Sequence, residues 1–194
     1  MRVIAGVARG RRLASPVGQT TRPTSDRVKE AWFSALAPRL VGASVADLYA
    51  GSGGLGIEAL SRGAAHATFV ETDHGALAVI RDNLATTGLG DAADVIGRDV
   101  AMVLSGQPPG VPWDVVLADP PYDVDDGQLT AILTALVGHL ADDAIVCLER
   151  SARSADPPWP PELRPDRVRK YGDTVLHAAV VVRPATTGAP PATP

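Results

Sequence analysis

A glycine-rich turn, Gly51-Ser52-Gly53-Gly54, follows the apolar run Val45–Ala50 and precedes a predicted helix. Glycine lets the backbone turn tightly and approach a ligand, and the N–H groups that begin a helix favour an anion. The spacing Gly51-x-Gly53-x-x-Gly56, with Glu71 20 residues after Gly51, fits a nucleotide-binding fingerprint in which the acid holds ribose hydroxyls. A simple strand-to-helix turn has the same spacing, so this motif alone leaves the chemistry open.

Acidic residues in or after two predicted strands indicate which kind of nucleotide-like ligand the glycine turn binds. Asp47 lies four residues before Gly51, and Asp119-Pro120-Pro121-Tyr122 follows the apolar strand Trp113–Ala118. An Asp followed by G-x-G resembles the first motif of S-adenosylmethionine-dependent methyltransferases. D-P-P-Y resembles the fourth motif of the branch that methylates exocyclic amino groups of bases. A nicotinamide enzyme or a non-catalytic nucleotide-binding module has no need of D-P-P-Y.

The D-P-P-Y residues suit methyl transfer to such an amino group. This group is a poor nucleophile because its lone pair is delocalised into the ring, so the site must accept its N–H hydrogens. The Asp119 carboxylate and the Pro120 carbonyl can do so, and Asp119 can take the proton. Pro121 stiffens the loop, and Tyr122 can stack on an extruded base.

The first thirty residues differ in charge from the rest of the chain. The protein has a net charge of −4, but this segment carries seven cations and two acids, a net +5, which leaves −9 elsewhere. Such asymmetry favours a basic arm that contacts phosphates, although a solvated hairpin would show the same charges. The cations are Arg2, Arg9, Arg11, Arg12, Arg22, Arg27 and Lys29.

The order of elements predicts an α/β fold. A short hairpin over residues 2–13 and a helix from Asp26 to Leu36, ended by Pro38, precede alternating strands and helices. The strands are Val45–Ala50, Ala67–Thr72, Ala93–Gly97, Trp113–Ala118 and Ala144–Glu149, with helices at Gly75–Thr86 and Gln128–Leu140, and a short one ending at Leu104. A Pro-rich loop, Ala155–Pro165, then leads to a hairpin of Arg167–Tyr171 and Val175–Arg183. We therefore expect an open, mostly parallel sheet with helices on both faces.

The whole chain up to about Arg183 resembles the RsmD-type 16S ribosomal RNA guanine-N2 methyltransferases. The specific part is Arg22-Pro-Thr-Ser-Asp-Arg-Val-Lys-Glu30 together with Asp47-Leu-Tyr-Ala-Gly-Ser-Gly53. The resemblance implies a Rossmann-like class I fold with a mixed seven-stranded sheet, S-adenosyl-L-methionine as cofactor, and 16S rRNA in the assembled 30S subunit as substrate. We expect three parts in the chain: an RNA-contacting extension (1–38), a catalytic domain (39–184) and a tail (185–194) whose Ala, Pro, Thr and Gly composition predicts disorder.

On this basis we expect three groups of site residues. The catalytic residues are Asp119, Pro120, Pro121 and Tyr122. The cofactor-binding residues are Asp47, Tyr49, Ala50, Gly51, Ser52, Gly53, Gly56, Glu71, Thr72, Arg98, Asp99 and Asp119. The RNA-binding residues are the seven N-terminal cations. Helix capping is the alternative for Asp47 and Asp99, because each lies at a strand-to-helix turn.

Composition excludes several other classes of site. The single cysteine, Cys147, excludes an internal disulfide and a cysteine-cluster metal site, and the four histidines show no paired ligand spacing. No apolar run has the length of a membrane span, so we expect a cytoplasmic monomer without a metal or a membrane partner. A DNA adenine-N6 methyltransferase remains the alternative, although the segment after Tyr122 is too short for a separate target-recognition region.

Overall fold

The computed structural model describes residues 1–16, 26–107, 110–121 and 124–182, and side chains in the first helix from Lys29 onward. The described helices are α1 (Asp26–Leu40), α2 (Gly54–Ser61), α3 (His74–Thr87), α4 (Val100–Leu104) and α5 (Asp126–Leu136), with 3-10 turns at Gly90–Ala92 and Val137–His139. The strands are β1 (Ser44–Leu48), β2 (His66–Glu71), β3 (Ala93–Gly97), β4 (Trp113–Ala118), β5 (Leu140–Ser151), β6 (Leu163–Tyr171) and β7 (Thr174–Val181). No described helix is long and apolar enough to cross a membrane.

The seven strands form one mixed sheet in the order β3-β2-β1-β4-β5-β7-β6. Strands β1 to β5 are parallel, and β7 is antiparallel to both of its neighbours. The chain leaves β1 toward β2 and β3 and returns to β4 on the opposite side, so the order reverses between β1 and β4. In such sheets a ligand crevice opens beyond the carboxyl ends of the strands at this switch point. The expected α/β methyltransferase-like architecture is confirmed.

Helices cover both faces of the sheet. Alternate strand residues face different cores: Val45, Phe69 and Leu117 lie with α1, α2 and α3, whereas Leu48 and Val116 lie with α4 and α5. Strands buried on both faces are nearly continuous apolar runs, and this explains why their positions were readable from the sequence.

Two predicted boundaries at prolines are wrong. Helix α1 continues through Pro38 to Leu40, because Leu36 and Leu40 are both buried against the core and a proline in the last turn removes little. Strand β6 begins at Leu163 rather than Arg167 and includes Pro165, which is tolerated because β6 is the edge strand and has a register irregularity after Pro165.

The carboxyl-terminal half shows smaller differences from the prediction. Helix α5 spans Asp126–Leu136 instead of Gln128–Leu140, since Asp125 forms a capping box with Gln128 and a 3-10 turn follows Leu136. Strand β5 is also longer than expected, at Leu140–Ser151. The expected tail, 185–194, lies outside the described residues.

The N-terminal segment forms the expected hairpin, although its strands pair through a single bridge, Arg2 with Arg12. It is docked on α2 by polar contacts. The Ser61 hydroxyl donates to the Ala5 carbonyl (2.6 Å) and accepts from the Ala8 N–H (3.0 Å). Val3, Ala8 and Leu13 of this segment belong to the same core as α1 to α3. The division into an extension and a catalytic domain remains a prediction, and the two parts share this core.

Lys29 is not the exposed cation that the sequence predicted. Its side chain is 1% exposed and pairs with the fully buried Glu58 at 3.4 Å. Its ammonium also donates to the carbonyls of Arg2 (3.1 Å) and Gly54 (3.4 Å). The prediction that Lys29 is free to meet a partner is therefore wrong, because these contacts place it between the hairpin and α2.

Gly6 provides a test of hairpin docking. Gly6 and Gly10 share a φ of +83°, but a Cβ on Gly6 would lie 1.7 Å from the Ser61 carbonyl oxygen, whereas Gly10 has nothing within 4 Å. We expect Gly10→Ala to lower the free energy of unfolding by about 1 kcal/mol through backbone strain alone. Gly6→Ala should lower it by about 3 kcal/mol or more, since the hairpin must also move. Denaturant unfolding measures both, and equal losses would show that the hairpin does not dock here.

Candidate functional site

The glycine turn after β1 is built from left-handed backbone conformations. Tyr49 (φ 61°), Gly51 (φ 55°) and Gly53 (φ 75°) all have positive φ. A bulky residue rarely adopts this conformation, so Tyr49 is held there by its surroundings. β1 ends at Leu48, two residues before the predicted end, because Tyr49 already belongs to the turn. The turn brings Ala50, Gly51 and Ser52 to the carboxyl edge of the sheet.

Gly56 serves packing rather than ligand approach. A Cβ at this position would lie 2.3 Å from a ring carbon of Phe69, so the absent side chain lets α2 pack closely on β2. Its N–H donates to the Asp47 carboxylate (2.8 Å). This glycine therefore fixes the distance between the helix and the sheet, as the last glycine of such fingerprints does.

Asp47 is almost fully buried beneath the turn. Its pKa is raised to about 8, mainly because burial removes the carboxyl from water; the nearby charges of Asp119 and Glu71 act in the same direction, and the Gly56 N–H and Lys29 oppose the shift. Asp47 bonds to an N–H in the first turn of α2, as the capping alternative predicts, but it does so from β1 rather than from the N-cap position. The burial of Asp47 keeps its carboxyl group from solvent. The same interactions show that Asp47, Glu71 and Asp119 converge on one edge of the sheet.

Glu71, at the end of β2, positions the turn from the other side. One carboxylate oxygen accepts from the Gly51 N–H (2.8 Å), and the other from the N–H groups of Thr72 (2.7 Å) and Asp73 (2.9 Å). The Thr72 hydroxyl also donates to this second oxygen (3.5 Å), so only the oxygen bonded to the Gly51 N–H retains a lone pair for a further donor. Glu71 therefore orients the glycine turn and can accept a hydroxyl group from a ligand through that oxygen.

The end of β3 supplies Arg98 and Asp99, and both are exposed. Asp99 caps α4 by accepting from the N–H groups of Ala101 (2.8 Å) and Met102 (3.2 Å), as the capping alternative predicted. Its charge also raises the pKa of the Tyr49 phenol, which burial already raises, to about 12. The Asp99 carboxylate therefore lies near enough to Tyr49 to interact with its phenol electrostatically. The Thr72 side chain is exposed beside Glu71.

Asp119 and Pro120 follow β4 and complete the carboxylate edge. Loss of hydration raises the pKa of Asp119 to about 6. Pro120 is buried and Pro121 is exposed, and the Pro121 carbonyl accepts from the Val124 N–H (3.1 Å). Tyr122 lies outside the described residues. The loop therefore presents a carboxylate and a proline carbonyl next to the glycine turn.

Two positioning residues escaped the sequence analysis. Asn83 of α3 donates to the carbonyls of Ser52 (2.9 Å) and Ala14 (3.1 Å) and accepts from the Ala14 N–H (2.8 Å). The second is Glu58, the buried partner of Lys29, which also bonds to Arg62 (2.7 Å) one helical turn later. A single acid in an otherwise apolar helix, four residues before an arginine, was the available signal for Glu58. Asn83 had no comparable signal.

Arg150 at the end of β5 reaches the segment after the Asp119 loop. It donates to the Val124 carbonyl (3.4 Å) and to Asp126 (3.2 Å), which begins α5. Together with Asp119, Pro120 and Ser151 it lines a small hollow beside the loop. No local sequence pattern selects Arg150, because its partners lie 24 and 26 positions away in the chain.

The predicted RNA-binding residues are distributed unevenly. Arg2, Arg9, Arg11 and Arg12 are exposed on the hairpin. The side chains of Arg22 and Arg27 lie outside the described residues. The bridge at Arg2 and Arg12 is close to Met1, which packs against Gly54, whereas the turn around Gly6 meets Ser61 at the opposite end of α2. Arg9 is therefore farther from the glycine turn than Arg2 or Arg12. Among the described residues no cluster of His, Cys, Asp or Glu is arranged to hold a metal ion.

Comparisons with known proteins agree with this geometry. One family, described as Conserved hypothetical protein 95, matches residues 1–180. "Ribosomal RNA small subunit methyltransferase D" of Escherichia coli K12 is 39% identical over 160 residues, 82% of this chain and 79% of that protein. "Putative rRNA methyltransferase YlbH" of Bacillus subtilis is 37% identical over 177 residues, 90% and 95% of the two chains. The solved structure "Putative methyltransferase yhhF from Escherichia coli" superposes with a TM-score of 0.84 at 33% identity and covers 95% of this chain and 99% of that one.

The fold and the carboxylate edge define a class I methyltransferase. The chain belongs to the Conserved hypothetical protein 95 family, and the RsmD-type resemblance is confirmed. Its cofactor is S-adenosyl-L-methionine. The residues present fit this molecule, because one carboxylate oxygen of Glu71 can accept a further hydroxyl and the glycine turn leaves Gly51 without a close neighbour at its Cβ position.

The buried Asp47 predicts a pH-dependent stability. Its pKa rises from 3.8 to about 8 on folding, so over this interval the folded protein holds a proton that the unfolded chain releases. The free energy of unfolding of the parent should fall as pH rises through this window. Asp47→Asn stays neutral, so we expect it to exceed the parent by about 1 kcal/mol or more at pH 8 and by less at pH 5. Unfolding of the cofactor-free proteins tests this, and a difference independent of pH would contradict it.

Arg150 should affect catalysis through the loop that it holds. Arg150→Met keeps the aliphatic length but removes the bonds to Val124 and Asp126. We expect methyl transfer to slow by about tenfold or more, because small displacements of a reacting group are costly, with unchanged cofactor affinity. Arg153→Met, an exposed arginine near the same strand end, should retain activity. Steady-state kinetics and calorimetry separate the two quantities, and equal activity of both variants would remove Arg150 from this role.

Proposed function

We propose that this chain transfers a methyl group from S-adenosyl-L-methionine to the exocyclic N2 amino group of a guanine in 16S ribosomal RNA. The observation that carries the proposal is the position of Asp119. Its carboxylate and the Pro120 segment adjoin the glycine turn at the switch point, and although Asp119 is exposed at this edge, partial loss of hydration to the surrounding protein raises its pKa to about 6. A carboxylate there can accept hydrogens from an amino group. The ribosomal RNA substrate is supported by the names of the relatives from Escherichia coli and Bacillus subtilis.

The residues at the carboxyl edge would bind the cofactor, which supplies an electrophilic methyl group on a sulfonium. Glu71 accepts a ribose hydroxyl, while the glycine turn receives the methionine part through close backbone approach. Asp47 lies beneath the turn, where a bound ammonium group of the cofactor would lower its raised pKa and pair with the carboxylate, and Asp99 accepts from the adenine amino group. Tyr49, Ala50, Ser52, Thr72 and Arg98 line the same crevice. Gly53 and Gly56 contribute by shaping the turn and the helix that follows.

Asp119 and Pro120 would orient the nucleophile. Their oxygen atoms accept the two N–H hydrogens of the guanine amino group, so its lone pair is turned toward the methyl carbon. A C–N bond forms as the C–S bond breaks, and the sulfur keeps the electron pair of that bond. One amino proton then leaves to Asp119, directly or through solvent. Tyr122, at the end of the same motif, would stack on the extruded base.

The exposed arginines of the hairpin would supply phosphate contacts. Arg2 and Arg12 lie nearest the glycine turn, and Arg9 and Arg11 extend the basic surface along α2, with Arg22 and Arg27 following in the chain. Such contacts position an RNA without reading its sequence. An assembled 30S subunit is the proposed form of the substrate, and a monomer the proposed state of the enzyme. The functional division at residue 38 is part of this proposal.

Methyl transfer by Asp119 variants tests the function. Purified protein, labelled S-adenosyl-L-methionine and 30S subunits isolated from cells that lack the gene should give labelled 16S rRNA, with the label at guanine N2. Asp119→Asn should lose at least about a hundredfold in rate, because an amide cannot accept the proton. Asp73→Asn, a cap of α3, is the control and should retain activity. Label found only in DNA adenine would instead favour the adenine-N6 alternative.

The pH dependence of the methyl-transfer rate gives a second test of the role of Asp119. Because the pKa of Asp119 is raised to about 6, its carboxyl group is protonated below that pH and can no longer take the amino proton as a base. The rate of the parent should therefore rise between pH 5 and pH 7 and then level off. A rate independent of pH over this range would show that Asp119 has another role.

A further inference from the structure

A groove on the α1 face of the sheet has no place in the catalytic site. It lies between α1 and the outer strands β7 and β6, with a volume of about 220 Å³. Ala31 and Ala35 of α1 are small, which leaves space above Cys147 and Ala178. The volume is below that of pockets that enclose whole drug-sized ligands, and it suits a flat group or a segment of chain.

The groove contains a buried hydrogen-bond donor without an acceptor. Trp32 lines it and is 4% exposed, and its indole N–H has no partner among the described residues. Buried polar groups nearly always have a partner, so such a donor is explained by an acceptor that enters from outside. The indole nitrogen donates only, and the occupant must therefore supply an oxygen or a ring nitrogen.

One rim of the groove is basic. Arg167 and Arg169 of β6 line it together with Arg39 of α1, against the single acid Asp166. No described carboxylate lies within ion-pair distance of Arg167 or Arg169. The rest of the chain beyond residue 30 is strongly acidic, so this row is a local exception in charge.

The Tyr171 end of the groove lies on the same side of the sheet as the carboxyl end of β5. Tyr171 ends β6 and pairs with Thr174, which pairs in turn with Ser151 at the carboxyl end of β5. Ser151 and Asp119 line the same hollow. A chain lying along Arg167, Arg169 and Tyr171 would thus continue toward the Asp119 loop.

We propose that this groove is a second RNA-contacting surface, which holds a segment of the substrate RNA by phosphate contacts to Arg167 and Arg169 and by an acceptor bonded to the Trp32 indole N–H. This inference rests on the proposed RNA substrate. An acidic peptide added to the edge of β6 would pair with its backbone. The cations and the indole donor lie instead on the face of the sheet, where the phosphate and base oxygens of RNA can reach them.

The alternation of β6 offers a matched pair of variants. Arg169 pairs with Leu176, whose side chain faces the α1 core, while Lys170 pairs with Val175 and points to the opposite face. Arg169→Glu and Lys170→Glu therefore make the same charge change, one residue apart, inside and outside the groove. Trp32→Phe keeps an aromatic ring but removes the orphan donor.

Binding of a fluorescein-labelled, single-stranded RNA dodecamer of mixed sequence, titrated at several salt concentrations, tests the proposal. Arg169→Glu should weaken binding and make the slope of log affinity against log salt shallower by about one unit, since one phosphate contact is lost. Lys170→Glu should leave the slope unchanged. Trp32→Phe should weaken binding without changing the slope, because the lost contact is uncharged. Thermal unfolding verifies that each variant is folded, and the arginine–lysine pair carries the test should Trp32→Phe be unstable.

Equal slopes and affinities for the two Glu variants would overturn the proposal and leave the arginines as charges that keep an edge strand from pairing. If labelled polyglutamate bound to the parent protein, and more weakly after Arg169→Glu, while the RNA did not bind at all, the groove would be assigned to an acidic protein instead. Methylation of 30S subunits, measured in parallel, keeps this result separate from the proposed function. If the parent enzyme methylates rRNA and the two Glu variants bind RNA equally, the proposed function is retained and only the proposal for the groove is rejected.

Discussion

The buried Glu58 carboxylate is the interaction on which the N-terminal half of the structure depends. It accepts the N–H groups of Ile4 (2.8 Å) and Ala5 (3.0 Å) and pairs with Lys29 and Arg62. A carboxylate removed from water is costly unless every lone pair is used, so the hairpin, α1 and the end of α2 must be present together. The basic hairpin is thus fixed to the core at its base while its arginines remain exposed. Lys29 also bonds to the Gly54 carbonyl, which links this network to the glycine turn.

The glycine turn is in turn held from three elements. Asp47 of β1 anchors the helix that follows it, Glu71 of β2 holds the Gly51 N–H, and Asn83 of α3 holds the Ser52 carbonyl. The left-handed Tyr49 costs backbone energy that these bonds offset. The protein's own hydrogen bonds therefore hold the turn, and we expect little reorganisation when the cofactor binds.

The sequence predicted the parts of this site that are local and failed where partners are distant. The strands are buried apolar runs and the turn has its own glycine pattern, so both were readable directly. Glu58 and Lys29 were not recognised as partners, because a lysine 29 residues before an acid carries no pattern, and Lys29 was assigned to the wrong role. Pro38 and Pro165 led to wrong boundaries because local rules were applied too strictly. A proline ordinarily ends a helix, but α1 continues past Pro38 because Leu40 is buried. A proline is ordinarily excluded from a strand, but Pro165 is accommodated because β6 is at the edge of the sheet.

The charges of the site constrain how a nucleic acid can approach it. Asp47, Glu71 and Asp119 lie close enough that Glu71 and Asp119 both raise the pKa of Asp47, so a phosphate brought to this edge would be repelled. The negative charge at this edge attracts a positively charged sulfonium or ammonium group and repels a sugar–phosphate chain. On the proposed function, only the uncharged base can therefore enter, and the backbone that carries it must be held on the basic flanks. On the proposed function, the field that favours the cofactor would thus favour extrusion of the target nucleotide, and it would separate the residues proposed for chemistry from those proposed to bind phosphate.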